Sequence, residues 1–314
     1  MFDYIVVGGG SAGSVLAGRL SEDPAVRVCL LEAGAADSSV FIHCPAGLAA
    51  MARLQSHSWH QSTVPQPGLN GRRGYQPRGK VLGGSSSVNA MVYVRGQAAD
   101  YDHWAAQGNP GWAWADVLPL FRDVEDHHAG SSEFHGASGT WRVEPQRLRW
   151  DVLDAFRDAA AQAGIERTDD FNRGDNAGCN YFEVNQRRGV RWNAAKAFLR
   201  PVLHRDTLRV MTGALVERIR FSGRRATGVD CVVDGVRLHA VARRELILAA
   251  GAIGSPQLLQ VSGVGPADRL RKLGIPMVLD LPGVGENLQD HLQLRTIYRL
   301  RGARTLNTLV HSWW

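Results

Sequence analysis

The run Gly8-Gly9-Gly10-Ser11-Ala12-Gly13 satisfies G-x-G-x-x-G, a spacing suited to holding an anion rather than to attacking a bond. The first glycine of such a turn permits a tight reversal. The second lets backbone approach a pyrophosphate, and the third lets a helix pack on the preceding strand. A helix opening there aims its N-terminal N–H groups at the anion. Glu32, 19 residues after Gly13, is placed to accept hydrogen bonds from ribose hydroxyls and disfavours a 2′-phosphate. The chemistry indicated is dinucleotide binding, and this unit alone leaves NAD and FAD both open.

A second loop of small residues, Gly79-Lys80-Val81-Leu82-Gly83-Gly84-Ser85-Ser86-Ser87-Val88-Asn89, can lay N–H groups and hydroxyls along a phosphate or a planar ring. It is not a hydrolase elbow, which needs G-x-S-x-G, nor a P-loop, which needs Gly-Lys followed directly by Ser or Thr. A third run, Gly251-Ala252-Ile253-Gly254-Ser255-Pro256-Gln257, follows an apolar stretch and taken alone reads as a structural strand-to-helix corner.

These residues need a frame. Phe2–Val7 is a short apolar run that fits a strand covered on both faces, and 14–20 has helical spacing through Val15, Leu16, Ala17 and Leu20. A second strand at 26–31 ends at Glu32. The order strand, glycine turn, helix, strand and acid predicts an α/β fold. Farther along, 151–163 places Val152, Phe156, Ala159 or Ala160, and Ala163 on one face with Gly164 as a stop, which predicts a packing helix. Residues 180–186 alternate like a half-exposed strand, and 191–199 resume helix with Asn193 as cap. A further apolar strand is expected at 245–250.

Composition narrows the class. With 314 residues, 44% hydrophobic and 21% charged, the chain has the make-up of an ordinary globular protein. The net charge is +6, yet lysine occurs only at Lys80, Lys196 and Lys272 and the arginines are scattered, so nothing points to nucleic acid. Cys29, Cys44, Cys179 and Cys231 stand far apart without C-x-x-C and read as reduced, mostly buried thiols, with no metal site expected. No apolar run reaches the roughly 18 to 20 residues of a membrane helix, and no leader pattern precedes Phe2. A cytoplasmic location is expected, with peripheral membrane association left open.

Together the three glycine-rich segments resemble the glucose–methanol–choline (GMC) oxidoreductases, which are FAD-dependent. One family signature is met from Gly79 through Asn89 to Gly96 and Asp102, the other over 251–265, and residues 282–291 also look like the family's. The likeness covers essentially the whole chain and looks closest to choline and aliphatic alcohol dehydrogenases. It implies a Rossmann-like FAD-binding domain over 1–148 and 192–292, with a partial α+β substrate domain over 149–191 and 293–314. It implies that Gly8, Gly10, Ser11, Ala12 and Gly13 hold the FAD pyrophosphate, and that Glu32 and Ala33 meet the adenosine ribose. Val81, Ser85, Asn89, Ala90, Met91 and Val92 would touch flavin and pyrophosphate, and the strand around Leu215 and Val216 would meet adenine by its backbone. Some members tether flavin through a histidine just before the loop asparagine; Val88 stands there in this sequence, which implies non-covalent FAD.

The reaction implied is oxidation of the CH–OH group of a primary alcohol by hydride transfer to flavin N5, with a quinone, a dye or oxygen as electron acceptor. The family's proton-accepting histidine, and the histidine or asparagine beside it, come from the last part of the chain. This sequence ends at Trp314, with 306–314 reading as the start of a helix. The resemblance therefore implies a front portion with no catalytic residue of its own, inactive when alone. The alternatives are a non-catalytic FAD-binding product and a cyanohydrin-cleaving lyase on the same fold. His127, His128, His135 and His291 show no convergent pattern and read as surface or structural residues, with His291 notable for its neighbour Asp290. Trp313 and Trp314 do not by themselves make a choline cage.

Overall fold

The computed structural model describes residues 1–291 and 293–305, so the helix expected at 306–314, with Trp313 and Trp314, lies outside the described residues. The chain opens with β1 (Phe2–Val7), α1 (Ser11–Leu20) and β2 (Val28–Leu31). β1 runs parallel to β2, with Tyr4 against Val28 and Val7 against Leu31. β3 (Leu208–Met211) lies parallel on the far side of β2. The chain then forms an antiparallel meander of β4 (Ala214–Ser222), β5 (Arg225–Val233) and β6 (Val236–Leu248), followed by α2 (Gly251–Val261). β6 has two partners in succession. Its residues 236–241 pair with β5, and 242–248 pair in parallel with β1. The sheet order is β3-β2-β1-β6-β5-β4.

This topology explains why β1 and β2 lack polar alternation. Ile5 and Val7 pack with Cys29 and Leu31 against Ile219, Val229 and Cys231 of the meander and Leu258 of α2. Val6, Val28 and Leu30 face the other way, onto Ala17 of α1 and onto Leu82, Ala195 and Leu199. A sheet covered on both sides selects apolar residues at every position. The fold is α/β, as the order of the N-terminal elements predicts.

Several expected spans are redrawn. The stretch 208–219 holds two strands, because Gly213, at φ 67°, turns the chain after β3. Its N–H donates to Gly34 O, and that of Ala214 to Glu32 O, both at 2.8 Å. The strand expected at 245–250 is the end of β6, whose earlier part carries Arg237, His239, Arg243 and Arg244 and looks polar in sequence. At 191–199 the helix is shorter than expected: Arg191 stays extended in the strand Val190–Arg191, and a π-helical turn covers Ala195–Leu199. Asn193 nevertheless caps it, its Oδ1 accepting from the Lys196 N–H at 3.0 Å. Of the four thiols, Cys29 and Cys231 are buried, whereas Cys44 is exposed and Cys179 half-buried. Burial pushes the Cys29 thiol up to about 12.

Two compact units are present, one of 1–90 with 190–290, the other of 91–189 with the described residues from His291 onward. The first division between the two units falls at Ala90. The physical reason is a three-stranded sheet in the second unit, formed by Glu125–His127, Trp141–Pro145 and Glu183–Val184, which ties 91–148 to 149–189. The helix Asp151–Gln162 forms where periodicity placed it. It is not the packing helix expected, however: Ala160 is buried, but Phe156 is 54% exposed. No helix among the described residues is long and apolar enough to cross a membrane.

Candidate functional site

The glycine turn sits between β1 and α1. Gly8, at φ 103°, donates its N–H to Leu31 O at 2.8 Å and so reverses the chain over the end of β2. A Cβ on Gly13 would lie 1.9 Å from Gly8 O, which is why α1 can rest against the turn only with glycine there. Gly10 is the N-cap and offers no side-chain bond; the first turn of α1 contains no acid, and Ser11 and Ala12 are exposed. The first helical N–H groups, with their share of the helix dipole, therefore have the chemistry to hold an anion. A Cβ on Gly10 would find only Gly84 Cα, at 3.8 Å, so the space in front of the second glycine is open.

The second loop lies directly on this turn. Gly83, at φ 88°, donates its N–H to Gly9 O at 2.7 Å, and a Cβ on Gly84 would be 2.6 Å from Gly10 Cα. Leu82 N–H reaches Ala35 O at 2.9 Å, and Gly34 leaves room for Lys80 and Val81, whose backbone a Cβ would strike at 2.1 to 2.2 Å. Glu32 completes the stitching, Oε2 accepting from Gly9 N–H and Oε1 from Gly34 N–H, each at 2.7 Å. Each oxygen keeps a second lone pair for a hydroxyl. Burial raises the Glu32 carboxyl above the usual range, against the pull of Gly34, Gly9 and the Lys80 charge.

The remaining expected site residues are distributed as follows. Ala33 is half-buried beside this junction. The Val81 side chain is fully buried with Ile42 and Met51, which leaves its backbone as the part able to face a ligand. Ser85, Asn89 and Ala90 are exposed, and Ser85 Oγ accepts from Gly79 N–H at 3.1 Å. Val216 is half-buried in β4 at a backbone irregularity, two residues beyond the Ala214 to Glu32 bond. Met91, at φ 64°, and Val92 belong to the second unit, where Asn185 N–H donates to Met91 O and Val92 bridges Val184.

Sequence reasoning missed the layer beneath the second loop. Ser86 Oγ donates to Gly83 O, Ser87 Oγ to Leu82 O, and Asn193 Nδ2 to both Ser87 Oγ and Asp37 Oδ2. Arg191 is wholly buried under the same loop. The serines were visible as part of a small-residue run. Nothing in the local pattern marks an arginine more than a hundred residues away as their partner.

The histidines require a correction, because three of them do converge. In the second unit His127 stacks on His135 with ring centroids 3.8 Å apart, and His128 lies 4.5 Å from His127. The strand pairing of 125–127 and the return at Gly136, whose carbonyl accepts from His127 N–H, bring them together. His127 Nε2 and His128 Nε2 both contact Glu183 Oε1 at 2.9 Å. His135 bridges Glu125 through Nδ1 and Asp170 through Nε2, at 3.0 to 3.1 Å. The groupings His127-His128-Glu183 and His135-Asp170-Glu183 have the donor types of a cation site. Each imidazole is already matched to a carboxylate, and a protonated His135 repels a metal, so the geometry supports a hydrogen-bonded structural network. Burial disfavours the His135 imidazolium, but hydrogen bonds to Asp170 and Glu125 more than offset it and lift its pKa from 6.5 to about 9. Its contribution to stability is complete below pH 6.5 and is lost as pH rises through about 9. The melting temperature of the second unit is expected to fall over that window, and H135Q to remove the fall; a wild-type profile flat across it contradicts the assignment.

Comparison with known proteins places the chain in a family. The profile of the family described as GMC oxidoreductase matches residues 2–293. The chain is 49% identical over 300 residues to the mitochondrial choline dehydrogenase of Homo sapiens, covering 93% of this chain and 50% of that protein. It is 45% identical over 292 residues to the oxygen-dependent choline dehydrogenase of Sinorhizobium fredii, covering 93% and 53%. The chain thus spans about half the length of the curated relatives it matches. Among solved structures, pyridoxine 4-oxidase from Mesorbium loti superposes with a TM-score of 0.86 at 37% identity, over 90% of this chain and 56% of that one. An FAD-dependent oxidoreductase from Chaetomium thermophilum superposes with a TM-score of 0.87 at 34% identity, over 92% and 52%.

Proposed function

The chain belongs to the GMC oxidoreductase family, and on that premise we propose that it binds FAD and forms the cofactor-holding portion of an enzyme oxidising a primary alcohol of the choline-like or aliphatic kind. The observation that carries this reading is the open, uncapped N-terminus of α1 lying directly against the second glycine loop through the Gly83 to Gly9 bond. Two N–H-rich turns in contact suit one long ligand with a pyrophosphate at its middle. Bound FAD would supply the two-electron acceptor for the hydride of the alcohol carbon.

The residues of this chain do the holding. Gly10, Ser11, Ala12 and Gly13 take the pyrophosphate on their N–H groups, and Gly8 sets the turn that presents them. Glu32, already oriented by Gly9 and Gly34, meets the ribose with Ala33, and the backbone at Val216 meets adenine. Val81, Ser85, Asn89, Ala90, Met91 and Val92 serve the flavin end. No residue of this chain is assigned as the base that takes the hydroxyl proton. A quinone, a dye or oxygen completes the electron balance.

Non-covalent attachment follows from Val88, an unreactive side chain packed toward Ile42, Met51 and Val81. FAD modification has been examined in a formate oxidase from Aspergillus oryzae, 30% identical, and acid precipitation distinguishes the two modes of attachment here. The 314-residue chain should take up FAD, release all of it to the supernatant on acid precipitation, and give no alcohol-dependent dye reduction. Joined to a segment completing the length of its relatives, it should reduce dye with choline or an aliphatic alcohol. A completed, FAD-loaded protein inert toward choline, aliphatic, aromatic and polyol alcohols would refute the substrate class. Flavin left on the acid pellet would refute dissociable attachment.

A further inference from the structure

The cations of this chain are scattered, but its carboxylates are not: no Asp or Glu occurs between Asp37 and Asp100. Arg53, Arg72, Arg73, Arg78 and Lys80 all fall in that interval and in the first unit. Over a stretch with charges of one sign the separate fields add, where a mixed surface cancels them.

Most of these cations belong to one excursion of the chain. After the helix Gly47–Leu54 the chain runs out through Gln61–Ser62 and returns antiparallel through Tyr75–Gln76. The tip between them is closed on itself around the turn Pro67–Leu69. Thr63 N–H donates to Gly74 O at 2.9 Å, and Gln66 N–H to Arg72 O and Gly71 N–H to Gln66 O, both at 3.0 Å. Within 63–74 the only charged residues are Arg72 and Arg73, both exposed. On the same tip Val64 is 69% exposed and Leu69 43%. Arg72 donates both its backbone N–H and its Nε to Leu69 O, at 3.1 and 3.0 Å, so the cation lies against the Leu69 backbone. At the base Trp59 and Tyr75 are exposed as well, with Lys80 Nζ 4.6 Å from the centre of the Trp59 ring and Tyr75 Oη 3.1 Å from Ser58 Oγ.

A lone exposed Leu or Val needs no explanation. Val64 and Leu69, however, share a compact tip with two cations and no anion, above amphipathic aromatics. Aliphatic groups suit the acyl region of a bilayer, guanidinium groups its anionic headgroups, and Trp and Tyr its interface. Nucleic acid fits less well, because it offers no apolar region for Val64 and Leu69 and the Trp59 ring already carries Lys80 over it. We propose that the excursion 53–80 docks the chain on an anionic lipid surface, with Val64 and Leu69 entering the bilayer and Arg72 and Arg73 on its headgroups. The chain then lies on the membrane, in keeping with the lack, among the described residues, of a helix able to cross one. The docking needs no flavin and is independent of the FAD reading.

Cosedimentation with phosphatidylcholine vesicles, with and without phosphatidylserine, tests this at low and high salt. The wild-type chain should pellet with the phosphatidylserine vesicles, stay in solution with phosphatidylcholine alone, and be released by salt. Each charge removed near the surface should weaken binding about fivefold, so R72Q/R73Q should lose about 25-fold. V64S/L69S should lose about tenfold or more with the salt dependence unchanged. R224Q/R225Q takes two charges from the β4–β5 hairpin and should bind as the wild type does. All these positions are exposed, so each variant should melt with the wild type. A wild-type chain that does not pellet with phosphatidylserine vesicles overturns the proposal. So does an equal loss in R224Q/R225Q, which would make net charge the cause, or wild-type binding by V64S/L69S, which would leave the apolar tip without a role. A chain that ignores vesicles but holds a DNA oligonucleotide, and loses it in R72Q/R73Q, would assign the surface to nucleic acid instead.

Discussion

Alanine at Gly10 is expected to abolish FAD uptake while leaving the fold intact, and alanine at Gly13 to remove both. The two glycines stand three residues apart but face different neighbours. At Gly10 an added methyl meets nothing closer than Gly84 Cα at 3.8 Å, ordinary van der Waals contact, and the backbone there, at φ −75°, suits alanine. The cost to stability is that of a weaker N-cap, within about 1 kcal/mol. The methyl nonetheless occupies the space through which, on the proposed reading, a pyrophosphate would approach the α1 N–H groups. At Gly13 the methyl would stand 1.9 Å from Gly8 O and 3.1 Å from Gly8 C, backbone atoms that move only if β1 or α1 moves. The loss is expected at or above the about 1–3 kcal/mol typical of overpacking. Flavin absorbance co-eluting with the chain, read beside urea denaturation, separates the two outcomes. A G10A chain binding FAD as tightly as the wild type would mean that the anion lies elsewhere.

Removing the Glu125 carboxylate is expected to have the largest effect in the second unit. Its side chain is 0% exposed, and Arg95 Nη2, 1% exposed, lies 3.0 Å from Oε2. The Arg95 N–H is not aimed at that oxygen, so the contact is chiefly Coulombic, and directed hydrogen bonds come from His135 Nδ1 and Gly136 N–H. Arg95 also donates from Nε to Tyr93 Oη and from Nη1 to Phe134 O. E125A leaves Arg95 and His135 as buried cations without their shared counter-ion, which costs about 3–5 kcal/mol. E125Q keeps the volume but not the charge and should recover only a minor part. Denaturant unfolding followed by tryptophan fluorescence reads this directly, since Trp141 lies opposite Glu125 in the adjacent strand. A loss under about 1 kcal/mol in E125A would show that the network contributes little.

How far the sequence could be read depended on the range of the interactions involved. The glycine turn, α1, β2 and Glu32 were legible because strand, turn, helix and acid are local and each leaves its own mark on residue choice. The bridge from Gly83 to Gly9 was not, since it joins loops more than seventy residues apart, although both loops stood out by composition. Gly34 was overlooked because a single glycine after an acid carries no period; only the backbone of Lys80 and Val81 lying against it shows why glycine is needed. Arg191 falls at the start of the helix expected at 191–199, whereas it is extended and buried, held by carbonyls that lie far from it in sequence. The convergence of His127, His128 and His135 depends on strand pairing and on Glu183, fifty-five residues beyond His128, so no local spacing could reveal it.

β6 carries a consequence for how this protein is made. Its C-terminal half is a parallel neighbour of β1, with Phe2 opposite Ala242 and Val7 opposite Leu248. A ribosome adding about 5–20 residues per second therefore takes on the order of tens of seconds between releasing β1 and supplying its partner. During that interval an apolar strand with no polar alternation has an open edge, the condition under which nascent chains join one another. Soluble yield should thus depend on synthesis rate and on chaperone supply more than the finished sheet, closed on both of its faces, would suggest.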